Sequence, residues 1–326
     1  MKVFQECVMS ESEIIDLLHE ALLLSKLDHP NIIRVFDANI LDQAHGSYGY
    51  FTMEYIAGGT LEDYMNSRYF VPQDEALKII RQTCAGVAAA HNFEPKIIHR
   101  DLKPANILVD FEESGFTMKV SDFGLAEVPD KTGIARAAGS LLYEPPEAFN
   151  DVASFSGDVF AIGMIFYQLL TGRLPFKVRE NFDPKNKVHL KDLLVESRRC
   201  KPSDPSKVND CVDPLIDMIV QKALEFDALK RFSDAKEMFD AVVACEKKIK
   251  KYRQPASGIK LMSKSQIKAK STNLANLYLE KAFELSKQYY TLQEAIDCLQ
   301  KAFIIDPSLR EKHVYLLKIW KNGMVT

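Results

Sequence analysis

The chain has 326 residues, enough for one large domain or two smaller ones with a substantial core. Hydrophobic residues make up 47% and charged residues 27%, the balance of a soluble globular protein, and the formal net charge of -3 argues against an overall nucleic-acid-type electrostatic footprint. Nothing in it is long and apolar enough to span a bilayer: the best candidate, Val159 to Leu170, is too short and contains Gln168, so it reads as a buried core helix.

Met1-Lys2-Val3-Phe4 reads as the end of a short strand, with no secretory leader expected ahead of it. Ile14 to Leu27 has apolar residues at helical spacing, with Glu20, Leu24 and Leu27 on adjoining turns of one side. Asp28-His29-Pro30-Asn31 ends that helix, because proline disfavours helical geometry in the residue before it. Ile32 to Ile40 and Tyr50 to Ile56 read as strands around a polar, glycine-containing turn, and Gly58-Gly59 reads as a second turn.

Asp74 to Ala90 is a helical stretch that delivers the chain to His99-Arg100-Asp101-Leu102-Lys103-Pro104-Ala105-Asn106 and the apolar run Ile107, Leu108, Val109. A carboxylate, an ammonium and a carboxamide thus share one short loop leading into a strand. That set suits phosphoryl transfer, which needs positioning and charge neutralisation more than covalent work from the protein. A second acid, Asp122 in Asp122-Phe123-Gly124, follows the strand pattern Met118-Lys119-Val120.

In order and spacing these two motifs resemble the catalytic loop and the metal-binding motif of eukaryotic-type protein kinases. The resemblance implies that Asp101 accepts the substrate hydroxyl proton, that Lys103 meets the transferred phosphate, and that Asn106 and Asp122 hold magnesium against the phosphates of ATP. It makes Lys2 the lysine that pairs the nucleotide's α and β phosphates and Glu20 its ion-pair partner on the helix. It makes Met53-Glu54-Tyr55-Ile56-Ala57-Gly58-Gly59 the hinge, with backbone groups of Glu54 and Ile56 at the adenine edge and Leu108 also at the nucleotide. Lys103 followed by Pro104, together with Ser140, matches the serine/threonine-specific class. The glycine-rich loop that the family places ahead of the Lys2 strand is not in the chain, so the small lobe is expected to lack its first two strands.

Leu125 to Ser140 has no clear periodicity and corresponds by resemblance to an activation segment, with Thr132 as its best phosphate acceptor and Arg100 as the residue to pair with that phosphate. Gly139 to Glu147 resembles the substrate-docking stretch that closes the segment, ending in Pro-Pro-Glu, with Glu147 paired to Arg231. Asp158 is implied to anchor the catalytic loop from below. Gly172-Arg173-Leu174-Pro175-Phe176 ends the apolar helix, and His189 to Arg198, Pro214 to Glu225 and Asp234 to Lys248 read as further helices. The six cysteines, at 7, 84, 200, 211, 245 and 298, lack close pairs or metal-ligand spacing and read as reduced core thiols of an intracellular protein.

Past Lys247 the composition turns basic, and residues 251–271 read as a linker. In the tail, Ala295, Leu299, Ala302 and Pro307 match the second half of a tetratricopeptide repeat, Leu279 and Ala282 fit its first helix loosely, and Lys312 to Lys321 with Trp320 forms a further helix. An ordinary helical hairpin fits nearly as well. The expected architecture is therefore α+β: a two-lobe kinase-like domain over 1–250 with an incomplete β lobe and a helical large lobe, then a helical repeat-like tail over 272–326. The expected function is a cytoplasmic serine/threonine protein kinase that uses ATP and magnesium, with a protein substrate, a tail for protein contacts and no nucleic acid. The rival is a pseudokinase scaffold.

Overall fold

The computed structural model describes residues 2–3, 23–43, 46–66, 70–112, 115–123, 141–150, 152–176, 187–253, 264–288, 291–306, 308–321 and 324–325. Glu20, Thr132, Ser140, Cys7, Pro307 and most of the first expected helix lie outside them. The described residues fall into two compact units, Met1–Lys251 and Tyr252–Thr326.

In the first unit, strands β1 (Lys2–Val3), β2 (Val35–Gln43) and β3 (Gly46–Met53) form an antiparallel sheet in the order β1-β3-β2. Lys2 lies opposite Phe51 in the register. The second strand begins three residues later than the apolar pattern suggested, for a reason in the tertiary structure. Ile32 bridges to Val120, and the Ile33 N–H donates to the Val120 carbonyl at 2.9 Å, so this stretch ties the sheet to a different hairpin. That hairpin pairs β4 (Ile107–Glu112) with β5 (Gly115–Val120) from Ile107 opposite Val120 to Glu112 opposite Gly115.

The α-helices described in this unit are α1 (Leu61–Asn66), α2 (Gln73–His91), α3 (Phe155–Thr171), α4 (Lys187–Arg199), α5 (Pro205–Val208), α6 (Pro214–Ala223) and α7 (Ala235–Arg253). The start of α1 is fixed by a reciprocal cap in which the Thr60 hydroxyl and N–H both donate to the Asp63 carboxylate while the Asp63 N–H donates back to that hydroxyl.

Helix α3 is the axis of the unit. Every residue from Gly157 to Thr171 except Gln168 is buried, as expected of a helix apolar all round. Its N-cap Ser154 accepts from the Gly157 N–H at 2.9 Å, and Gly172, at φ 72°, closes it in the left-handed region that glycine tolerates best. Phe160, Ile162, Ile165 and Leu169 of α3 share one core with Ile79, Ile80 and Val87 of α2 and with Ile107, Val109 and Val120 of the β4–β5 hairpin, all fully buried.

The second unit contains α8 (Lys264–Leu285), α9 (Leu292–Ile305) and α10 (Ser308–Lys321), with Ala282, Ala295, Leu299 and Ala302 fully buried among them. Phe283 meets the Trp320 ring edge-on at 6.2 Å, joining α8 to α10. The expected linker over 251–271 is corrected at both ends, since α7 runs on to Arg253 and α8 begins at Lys264. Along α7 the lysines Lys247, Lys248, Lys250 and Lys251 are exposed while Cys245 and Ile249 stay buried, so the basic run is the solvated face of an amphipathic helix. Two cysteines are corrected as well: Cys200 and Cys211 are exposed, whereas Cys84, Cys245 and Cys298 are core thiols. Among the described residues no helix is long and apolar enough to cross a membrane.

Candidate active site

The stretch His99 to Asn106, which leads from α2 into β4, is anchored on α3 by one buried carboxylate. Asp158, in the first turn of α3 and 3% exposed, accepts the His99 N–H at 2.8 Å with Oδ2 and the Arg100 N–H at 3.0 Å with Oδ1. His91, the last residue of α2, donates from Nε2 to the same Oδ2 at 2.9 Å, while its Nδ1 accepts from the Ala235 N–H at 3.3 Å. The two bonds fix the Nε2–H tautomer of a neutral ring. Asp158 thereby does what the resemblance implied, but through a partner, His91, to which no sequence pattern pointed.

This anchoring matters because the loop is strained. Arg100 has φ 68°, a left-handed conformation that costs a side-chain-bearing residue about 1 to 2 kcal/mol and persists only where the surroundings impose it. His99 is fully buried; its Nε2 donates to the Ser121 carbonyl at 2.9 Å, and its ring lies 4.6 Å from that of Phe123. The chain direction set here turns Asp101 outward, with its side chain 24% exposed.

Around Asp101 the predicted residues converge. The Lys103 ammonium lies 2.7 Å from Asp101 Oδ2. The Asn106 amide donates to the Asp101 carbonyl at 2.8 Å and to Oδ2 at 3.1 Å, which commits the amide nitrogen and leaves its oxygen as the ligand atom. Ser121 then joins Asn106 to the second acid: its N–H and hydroxyl both donate to the Asn106 carbonyl, at 2.9 and 3.1 Å, and the hydroxyl lies 3.4 Å from Asp122 Oδ2. Asp122 itself sits at φ 63°, the second strained residue of the site.

Strand β5, which leads into Asp122, is held by polar contacts that the sequence reading missed. Asn31, 8% exposed, donates its amide to the Met118 carbonyl at 2.9 Å and to Gln82 at 3.1 Å, while the Val120 N–H donates to the Asn31 carbonyl at 2.9 Å. Gln82 accepts the Met118 N–H at 2.8 Å. The only local signal was an asparagine just after a helix-ending proline.

The hinge residues are placed differently from one another. Glu54 spends its N–H on the Arg34 carbonyl at 2.9 Å, so its main chain has its carbonyl to offer a ligand. Its carboxylate binds Lys119 at 2.9 Å and the Arg34 N–H at 2.9 Å, a clasp between the hinge and β5. Leu108 lies opposite Lys119 in the hairpin, half-buried between the fully buried Ile107 and Val109, on the other face of β4 from them. Ile56 is also half-buried. Lys2 is placed by its strand alone, and its expected partner Glu20 is outside the described residues.

Farther down the chain, Arg231 grips Glu147 with both arms, at 2.7 and 2.9 Å, and donates to the Glu225 and Phe226 carbonyls at 2.7 and 3.0 Å. A cavity of about 270 Å³ lies beside Asp101 and Arg100, walled by Tyr143, Glu144 and Pro145.

Residues 1–244 match the family model described as the protein kinase domain. The chain belongs to the protein kinase family. Among curated kinases it is 34% identical to the serine/threonine-protein kinase PrkC of Bacillus subtilis over 67% of its own length and 32% of PrkC. It is likewise 34% identical to the probable serine/threonine-protein kinase PknB of Lactococcus lactis, over 68% of its length and 33% of that relative. The chain therefore spans about a third of the length of these kinases. Its fold is that of the kinase domain of Mycobacterium tuberculosis PknI, with a TM-score of 0.54 at 21% identity, over 75% of this chain and 84% of that one.

Proposed function

We propose that the chain is a serine/threonine protein kinase that transfers the γ-phosphate of ATP to hydroxyls of a protein substrate. The observation that carries this reading is the cluster itself: Asp101 in contact with both Lys103 and Asn106, and Asn106 joined through Ser121 to Asp122. Asp101 is the group that accepts the proton of the attacking hydroxyl, and Lys103 holds charge beside it, aimed at the phosphoryl group in flight. The Asn106 oxygen and the Asp122 carboxylate are hard oxygen donors on neighbouring elements, the kind of sparse set that suits Mg²⁺ shared with nucleotide phosphates. When bound, that ion neutralises charge building on the phosphate oxygens. In this reading the main chain of Glu54 and Ile56 meets the adenine edge, Leu108 lies under it, and Lys2 with Glu20 serves the α and β phosphates.

The proposal extends to the chain's organisation: a kinase domain over 1–250 acting in the cytoplasm and a helical repeat-like tail over 272–326 that contacts proteins. The support for the tail is the row of buried small residues, Ala282, Ala295 and Ala302, which lets neighbouring helices approach closely. Two variants test the catalytic assignment together. Asp101→Ala should keep the rise in melting temperature that magnesium-ATP gives the parent chain yet transfer no phosphate, whereas Asp122→Ala should lose both. A chain that folds but shows no such rise, and transfers nothing, would instead fit a binding scaffold.

A further inference from the structure

Arg198, in the last turn of α4, is 2% exposed, rare for arginine. Its Nη2 donates to the carbonyls of Leu141 at 2.8 Å and Leu142 at 3.2 Å. One turn earlier, Leu194 packs on Leu141 within the same small apolar cluster, so α4 grips this stretch by a side chain and by its backbone. The guanidinium lies over the Phe149 ring at 4.9 Å and the Phe160 ring at 5.7 Å, and Arg231, which holds Glu147, lies over that same Phe160 ring at 4.8 Å. The stretch from Leu141 to Glu147 is therefore pinned at both ends by buried arginines.

Stability alone does not account for this arrangement. Burial pulls the Arg198 guanidinium down to about 10, and its Nη1 has no hydrogen-bond partner among the described residues. A well-packed apolar side chain is often at least as stable at such a site. What the guanidinium holds is main chain, and that main chain continues directly into Tyr143, Glu144 and Pro145, the wall of the cavity beside Asp101. The groups assigned to nucleotide and magnesium are held by other partners: Asn106 by Asp101 and Ser121, and Asp122 by its neighbour Ser121, whereas Arg198 holds Leu141 and Leu142.

We propose that Arg198 is a positioning residue for the protein acceptor: by fixing the carbonyls of Leu141 and Leu142 it sets the wall against which a substrate chain lies as its hydroxyl approaches Asp101. This inference rests on the kinase reading. It predicts a split between the two substrates, because the wall is shaped by Arg198 and the nucleotide groups are not.

The test uses the full chain, magnesium-ATP and dephosphorylated casein as the acceptor, with Arg198→Lys and Arg198→Met. Lysine keeps the charge and stem but cannot span two carbonyls in the same fork geometry. Methionine keeps the packing and removes the donors. Both variants should raise KM for casein about tenfold, the loss expected from charge-assisted hydrogen bonds, and leave KM for ATP within about twofold. Both should also speed deuterium uptake in peptides covering Leu141 to Tyr143. An unchanged KM for casein, an equal rise in both KM values, or unchanged uptake would overturn the proposal. Should the parent chain transfer no phosphate, the kinase reading fails by that result and the uptake comparison decides the role of Arg198 alone.

Discussion

Asp158 shows how one side chain governs the site through the main chain it holds. It takes hydrogen bonds from His91 and from the main chain of His99 and Arg100, and it thereby holds the left-handed Arg100 that turns Asp101 outward. Asp158→Ala would take the acceptor from two buried donors, the His91 ring N–H and the His99 main-chain N–H, at about 1 to 3 kcal/mol each, and from the part-buried Arg100 N–H, and would release the strained backbone. Transfer should fall at least about a hundredfold, since a displacement of about 1 Å at the reacting groups costs that much. Kinetics of the variant at a temperature where circular dichroism shows it folded would check this, and near-parental transfer would contradict it. At the residue scale the loop was legible in the sequence because Asp101, Lys103 and Asn106 lie within six positions, where spacing alone brings them together. His91 and Asn31 were not, because their partners are distant in sequence and neither makes a local pattern.

Among the elements, the stretch Leu141 to Glu147 has, besides the Arg198 bonds to its main chain, two side-chain contacts with opposite demands on charge. The first is the Glu147–Arg231 pair, in which the arginine side chain is wholly buried. Glu147→Ala would strand that guanidinium and should destabilise the first unit by about 3 to 5 kcal/mol, read from urea unfolding. A loss below about 1 kcal/mol would mean that the carbonyls of Glu225 and Phe226 satisfy Arg231 without it. The second is Tyr143, whose hydroxyl donates to Gln168 of α3 at 2.6 Å. Burial pushes its phenol up to about 12 from an ordinary 10.0. The folded state thus favours the protonated form, so this contribution is complete below pH 10 and is lost as pH rises through about 12. Its size is on the order of 2 to 3 kcal/mol. Urea midpoints of Tyr143→Phe should therefore fall less steeply than those of the parent between these two values, and parallel curves would contradict the assignment.

Element boundaries were legible where periodicity and capping agree. The apolar run around Val159 to Leu170 became α3 because it is apolar on every face and is bounded by Ser154 and Gly172. The basic stretch after Lys247 has the composition of a linker but the period of a helix: buried Val242, Cys245 and Ile249 continue the helical spacing while lysines fill the exposed side. The start of β2 misled in the other direction, since Ile32 and Ile33 have strand-like side chains but pair with the β4–β5 hairpin, a contact that no local pattern encodes.

For the whole molecule, family membership rests on residues 1–244, and the site residues fall within that span. Two motifs carried the fold class from the sequence, because in this family the order and spacing of the loop and of Asp122 are tied to one architecture. The polar scaffold behind them, from Asn31 and Gln82 to Asp158 and His91, needed coordinates. The account as a whole stands on one activity, which is best read directly. The chain would be incubated with magnesium and ATP labelled at the γ-phosphate, with dephosphorylated casein as acceptor, and the labelled amino acids separated after acid hydrolysis. Label on phosphoserine and phosphothreonine, lost in Asp101→Ala, is the predicted result. Label absent from the acceptor, or retained in full by Asp101→Ala, would contradict the assignment of this site.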